Sequence, residues 1–213
     1  MYTKHKWKSD VYHNFGYVTY LPKDFDESKS YPLVLFLHGA GERGEDLELA
    51  CELGYMKYVR EEGKEYPFIF VAPQCPANKY WGCYTESLIA FMDYICDTLP
   101  VDKERIYLTG LSMGGYGTWF TAMAKPELFA AIAPICGGGM AWNAKVLTMP
   151  VWAFHGAEDN IVSTVQSDEM VAKLKECSKD VTYSRIDGVG HNVWEYAYTK
   201  ELMEWLLSKE RTK

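Results

Sequence analysis

Ser112 stands in Gly-Leu-Ser-Met-Gly, a lone hydroxyl between glycines where the apolar run Arg105 to Gly110 gives way to a segment of helical spacing. Gly-x-Ser-x-Gly between a strand and a helix is the pattern of a nucleophile elbow. Its glycines allow a strained turn that lifts the hydroxyl clear of the backbone, and the N–H groups that open the next helix face any negative charge formed there. Without that context the same residues would make an ordinary Gly/Ser turn. A serine hydroxyl is a weak nucleophile and needs a base held by a third group. Along a chain built this way the order is Ser, acid, His.

Of the five histidines, two follow Ser112. His155 closes the run Val-Trp-Ala-Phe-His-Gly and precedes the best acid, so it fits the order badly. His191, in Asp-Gly-Val-Gly-His-Asn, lies in a Gly-flanked loop between the last apolar run and the last helical segment, and it is the expected base. For the acid, His-Gly-Ala-Glu-Asp-Asn-Ile-Val offers Asp159 first and Glu158 second, with Ile161 and Val162 anchoring the loop beyond. Asp187 would have to point back from a strand end. The acid would fix the imidazole tautomer and stabilise the imidazolium without taking the proton itself. Earlier in the chain, Phe-Leu-His-Gly-Ala-Gly places a His-Gly turn after another apolar run. The backbone N–H groups of Ala40 and Met113 are the expected oxyanion hole. The competing reading, a glycine-rich phosphate cradle, lacks both the Gly-Lys-Ser/Thr ending and the Gly-x-Gly-x-x-Gly spacing.

These residues need a scaffold that brings loops from distant parts of the chain to one edge. Short β-branched or aromatic runs cover residues 15–21, 33–38, 68–73, 105–110, 130–135, 151–156 and 181–186. Most are continuous apolar stretches, as expected of strands covered on both faces. Helical spacing covers 47–62, 85–99, 115–124, 164–177 and 193–208, with Thr85 as an expected N-cap. The alternation predicts an α/β fold with a mostly parallel central sheet, helices on both faces and an antiparallel edge at the start. Ligands bind such sheets beyond the carboxyl ends of the strands, where Ser112, Asp159 and His191 all fall. Internal repeats, low-complexity tracts and linker-like stretches are absent, so residues 1–213 read as one domain.

Composition narrows the partners. A net charge of −7, with no Lys/Arg-rich run, argues against nucleic acid or an anionic membrane surface. No apolar run approaches a membrane span. The six cysteines show no Cys-x-x-Cys and no metal-ligand spacing. They read as free thiols, with a Cys75–Cys83 disulfide left open by their closeness in sequence. The first residues have no apolar signal region, so a cytoplasmic location is expected, although a chain whose signal had been removed would read the same way.

With these pieces assembled, "LHGAGERGED", "GLSMGGYGTW", "KPELFAAIAPICGGG", "VWAFHGAEDNIV" and "GHNVWEYAY" resemble the α/β-hydrolase superfamily over nearly the whole chain. More narrowly they resemble the compact serine esterases related to dienelactone hydrolases, phospholipase/carboxylesterases and polyhydroxybutyrate-depolymerase-like hydrolases. The resemblance implies a Ser112–His191–Asp159 triad with Ala40 and Met113 around the oxyanion, and no metal or organic cofactor. Dienelactone hydrolases use a cysteine where Ser112 stands, so their particular reaction does not carry over.

Only Gly137 to Pro150 separates two of the later strands, a loop rather than a lid domain. The expected substrates are therefore small-molecule or oligosaccharide esters, short-chain or linked to plant polysaccharide through acetyl or feruloyl groups. Trp81 and Trp142 are the candidate walls of the site, with Tyr84 and Trp194 behind them; the alternative is that they pack as core. A thioesterase or small-peptide hydrolase would use the same triad. A non-catalytic binding protein on this scaffold would usually have lost a triad member. Oligomeric state is not legible from these residues.

Overall fold

The computed structural model describes residues 2–211. Among them the chain forms one eight-stranded sheet in the order β1-β2-β4-β3-β5-β6-β7-β8. The strands are β1 (Tyr2–Trp7), β2 (Phe15–Tyr20), β3 (Tyr31–Leu37), β4 (Ile69–Pro73), β5 (Val101–Leu111), β6 (Ala131–Ile135), β7 (Val151–Gly156) and β8 (Val181–Ile186). From β4 across to β8 every pairing is parallel, while β1 and β2 add the antiparallel edge.

The period-2 alternation of β3 sorts its side chains into two cores. Leu33, Leu35 and Leu37 enter a layer with Phe91, Trp119 and Leu174, while Val34 and Phe36 enter the opposite one with Tyr55, Leu202 and Leu206. Helices cover both faces: α1 (Gly54–Glu62), α2 (Thr85–Thr98), α3 (Met113–Ala124), α4 (Val165–Glu176), α5 (Trp194–Ala197) and α6 (Lys200–Leu207). Helix α2 shows why such segments fold against a sheet. It buries Leu88, Phe91, Met92 and Ile95 at i, i+3, i+4 and i+7, one apolar stripe.

One strand was not expected, and three expectations need correction. The edge strand β1 carries Lys4, His5 and Lys6 exposed, so it has no apolar run to show in sequence; charged edges of this kind discourage pairing with another chain. The segment 47–62 is a 3-10 turn at Leu49–Cys51 followed by α1, because Leu53 is extended. The last helical segment is split into α5 and α6 at Thr199, whose extended backbone lets its hydroxyl accept from the Leu202 amide. Thr85 is the first residue inside α2 rather than its cap. All six cysteines, Cys75 and Cys83 included, are free thiols.

Candidate active site

Strand β5 ends at Leu111 and α3 begins at Met113, so Ser112 is the whole connection. It sits at φ 53°, ψ −116°, a sparsely populated region that costs about 1–3 kcal/mol and persists only when the surroundings enforce it. Here they do. The Ser112 N–H donates to Ile135 O at 2.9 Å and approaches Cys136 Sγ at 3.3 Å. Helix α3 is pressed so closely on β3 that a Cβ at Gly114 would lie 1.8 Å from Leu37 O. Glycine at 114 is thus the condition for the helix to start where it does.

The acid and the histidine arrive on the loops after β7 and β8, and these loops are tied together. Glu158 N donates to Val189 O and Ala157 N to Ile186 O, both at 2.9 Å. A Cβ at Gly156 would meet Gly190 O at 2.1 Å, so the loops pack backbone on backbone. His191 Nδ1 donates to Asp159 Oδ2 at 2.7 Å, leaving Nε2 to accept from Ser112 Oγ at 2.9 Å. The three residues expected from the sequence therefore form one continuous chain. Glu158 and Asp187 are exposed; the carboxylate that reaches His191 is Asp159's.

The Asp159 side chain is fully buried, and its other oxygen accepts from the Ile161 and Val162 amides at 2.9 Å each. Burial alone would raise its pKa; the hydrogen bonds from His191, Val162 and Ile161 outweigh that and hold it below the usual carboxylate value. The Asp159 carboxylate is therefore ionised at neutral pH. Ile161, expected to anchor this loop, does so through its amide, while its side chain lies in solvent.

The His-Gly turn after β3 is fixed by a buried histidine. His38 Nδ1 donates to Gly39 O at 2.6 Å while Nε2 accepts from Cys75 N at 2.9 Å. Burial depresses its pKa to about 4, so it is a neutral structural imidazole. Ala40, next in the turn, is exposed. No hydrogen bond engages the N–H of Ala40 or of Met113 among the described residues. Met113, as the first residue of α3, has no helix carbonyl before it to bond.

An apolar groove of about 400 Å³ opens beside Ser112, lined by Tyr80, Trp81, Gly82, Met113, Tyr116 and Phe120. It shares Tyr80, Gly82 and Phe120 with a second hollow that continues to Met140 and Asn143. Of the aromatic walls expected at Trp81 and Trp142, Trp81 lines the groove and Trp142 lies outside it. Trp81 is wholly buried, its Nε1 donating to His38 O at 2.9 Å, and it backs the groove as core. Trp142 is 75% exposed on the 3-10 turn Ala141–Val146 and does not line the groove. Tyr116 and Phe120 were missed. Their i, i+4 spacing directly after the elbow is the signal that marks them, since it places both on one face of the helix that Ser112 introduces.

The sheet order, the strained serine and the Ser-His-Asp chain define an α/β-hydrolase fold with a serine-hydrolase site. Residues 11–176 match the Esterase family, and the chain belongs to it. Among solved structures, one described as a thermostable esterase superposes with a TM-score of 0.89 at 35% identity, covering 99% of this chain and 63% of its own. Among curated proteins, "Probable feruloyl esterase C" of Aspergillus terreus is 31% identical over 74% of this chain and 60% of its own length. Dipeptidyl-peptidase 5 of Aspergillus fumigatus is 26% identical over 65% of this chain and 22% of its own. The chain thus spans about three fifths of the first of these curated relatives and a fifth of the second.

Proposed function

We propose that this chain is a serine carboxylic ester hydrolase that works through an acyl-enzyme. The observation that carries the proposal is the chain Ser112 Oγ–His191–Asp159, closed at 2.9 and 2.7 Å on a serine held at φ 53°. Ser112 Oγ attacks the ester carbonyl while His191 Nε2 takes its proton. The tetrahedral oxygen is held by the amides of Ala40 and Met113, at the edge of the His-Gly turn and at the α3 N-terminus. His191 then protonates the departing alcohol, and water, deprotonated by the same nitrogen, releases the acid. Asp159 keeps the proton on Nδ1 throughout and stabilises the imidazolium.

The substrate we assign is an ester with an aromatic acyl group, a feruloyl ester of a plant-polysaccharide fragment, with short acyl esters such as acetyl accepted. The tyrosine- and phenylalanine-lined groove beside Ser112 supports this, as does similarity to a protein bearing the feruloyl esterase name. Ser112→Ala should lose ester turnover down to the roughly 10³–10⁴-fold residue over water that binding and an oxyanion hole supply. Near-wild-type hydrolysis of a nitrophenyl acetate by that variant would refute the assignment. A second reading, hydrolysis of small peptides, is favoured by the likeness to dipeptidyl-peptidase 5. Rates on feruloyl, acetyl and longer acyl esters beside aminoacyl amides separate the two.

A further inference from the structure

Helix α3 carries the groove on past its first hollow. Met113, Tyr116 and Phe120 line the part beside Ser112, and Phe120, Met123 and Ala124 line the hollow beyond, also about 400 Å³. These positions fall at i, i+3, i+7, i+10 and i+11, one stripe of the helix. At about 1.5 Å per residue the stripe leads about 15 Å away from Ser112. A trans-cinnamoyl group is rigid and extended. Bonded to Ser112 Oγ and laid along this stripe, it puts its ring substituents roughly two helical turns from the serine, level with Phe120. Phe120 lines both hollows. The ring therefore stays in the first hollow, and its substituents enter the second.

The second hollow is not apolar throughout. Thr85, at the start of α2, and Asn143, on the 3-10 turn Ala141–Val146, both line it and are half-buried. The Asn143 backbone N–H is committed to Met140 O at 2.8 Å. Among the described residues no protein group hydrogen-bonds the Asn143 carboxamide or the Thr85 hydroxyl. A carboxamide offers an acceptor oxygen and a donor NH₂ side by side. A 4-hydroxy-3-methoxyphenyl ring offers the complement on adjacent carbons, a hydroxyl that donates and an ether oxygen that accepts.

We infer that Asn143 is a specificity-determining residue of the proposed esterase, reading the 4-hydroxy-3-methoxy pair of a phenolic acyl group. Its Oδ1 accepts from the hydroxyl, and its Nδ2 donates to the methoxyl oxygen. Thr85, on the same hollow, is a second partner for the hydroxyl. An unsubstituted cinnamoyl ring would cover the carboxamide and return no hydrogen bond, so the same residue selects against it. An acetyl group is too short to reach either side chain.

The inference rests on the ester-hydrolase reading, and four substrates keep the two separable: methyl ferulate, methyl 4-hydroxycinnamate, methyl cinnamate and 4-nitrophenyl acetate. In the wild-type protein kcat/KM for methyl ferulate should exceed that for methyl cinnamate about tenfold, with methyl 4-hydroxycinnamate between them. Asn143→Leu should erase this order, chiefly through KM, and leave 4-nitrophenyl acetate within about twofold. Asn143→Asp keeps an acceptor but loses the donor, so it should keep the preference for the hydroxyl and lose that for the methoxyl. A wild-type protein indifferent to the ring substituents overturns the inference. So does an Asn143→Leu variant that keeps the order, or one that loses equally on all four esters. If Asn143→Leu does not fold, the order in Asn143→Asp decides. A wild-type protein that turns over none of the esters sinks the functional reading. Equilibrium binding of free ferulate against free cinnamate, in wild type and Asn143→Leu, then decides the subsite: tighter ferulate binding that the variant loses supports it, and equal binding overturns it.

Discussion

Both oxygens of Asp159 are engaged before any substrate arrives, one by two backbone amides and the other by His191. This division makes Asp159→Asn a sharp test. The amide oxygen can keep the Ile161 and Val162 contacts, so the loop should hold its shape. The amide nitrogen then faces His191 Nδ1 and donates to it, which forces the ring proton onto Nε2. Nε2 would point a proton at Ser112 Oγ and could no longer take one. We expect kcat to fall by about 10⁴ with KM nearly unchanged. A loss under tenfold would mean that Asp159 does not set the tautomer. At this scale the sequence was most readable: Ser112, Asp159 and His191 each carry the reacting atom within an ordered motif, and the structure joins those atoms. Trp142 was misplaced because residue type does not say which way a ring turns, whereas Trp81 lines the groove from within the core. An indole N–H that finds His38 O is as well satisfied in the core as at a site mouth.

The elements convey what single residues cannot. Helix α3 supplies the turn that strains Ser112, the amide of Met113, and the groove-lining rings of Tyr116 and Phe120. Placing nucleophile and groove on one rigid helix fixes their separation, so the groove should act on selectivity rather than on the chemistry itself. Phe120→Ala should lower kcat/KM for a feruloyl ester about tenfold, within the 1–3 kcal/mol typical of such pocket contacts, and leave an acetyl ester within about twofold. Equal losses on both esters would show that Phe120 supports the fold, not the substrate. The parallel strands were legible because a strand covered on both faces must be apolar throughout, and β3, β4 and β6 are. What escaped was set by tertiary contact. β1 exists because β2 offers it hydrogen bonds, and Trp7 at its end packs on Phe15 and Phe91. The break before α6 depends on one threonine turning extended to cap the next helix.

Across the whole molecule, two buried ionisable groups at the site's loops make stability depend on pH in the same direction. His38 is held neutral in the native state with its pKa depressed to about 4, whereas in the unfolded chain it would titrate near 6.5. Between those values the unfolded chain binds a proton that the native protein refuses, so stability falls as pH falls. Asp159, held below its ordinary value, acts further down: its contribution is present above the unfolded carboxylate pKa and is lost as pH drops through the native one. The His38 part has a bound of about 3 kcal/mol, from 2.3RT times the shift. The midpoint of urea unfolding should therefore decrease steadily from pH 7 to pH 4.5. His38→Gln offers a test of the source. Its amide can accept from Cys75 N and donate to Gly39 O as the imidazole does, but it does not titrate, so its midpoint should be flatter over the same range. A wild-type midpoint that does not move, or a variant as steep as wild type, would place the acid sensitivity outside the His-Gly turn. If the expected flattening is seen, that turn, which presents the proposed oxyanion amide of Ala40, is also the part of the scaffold that acid loosens first.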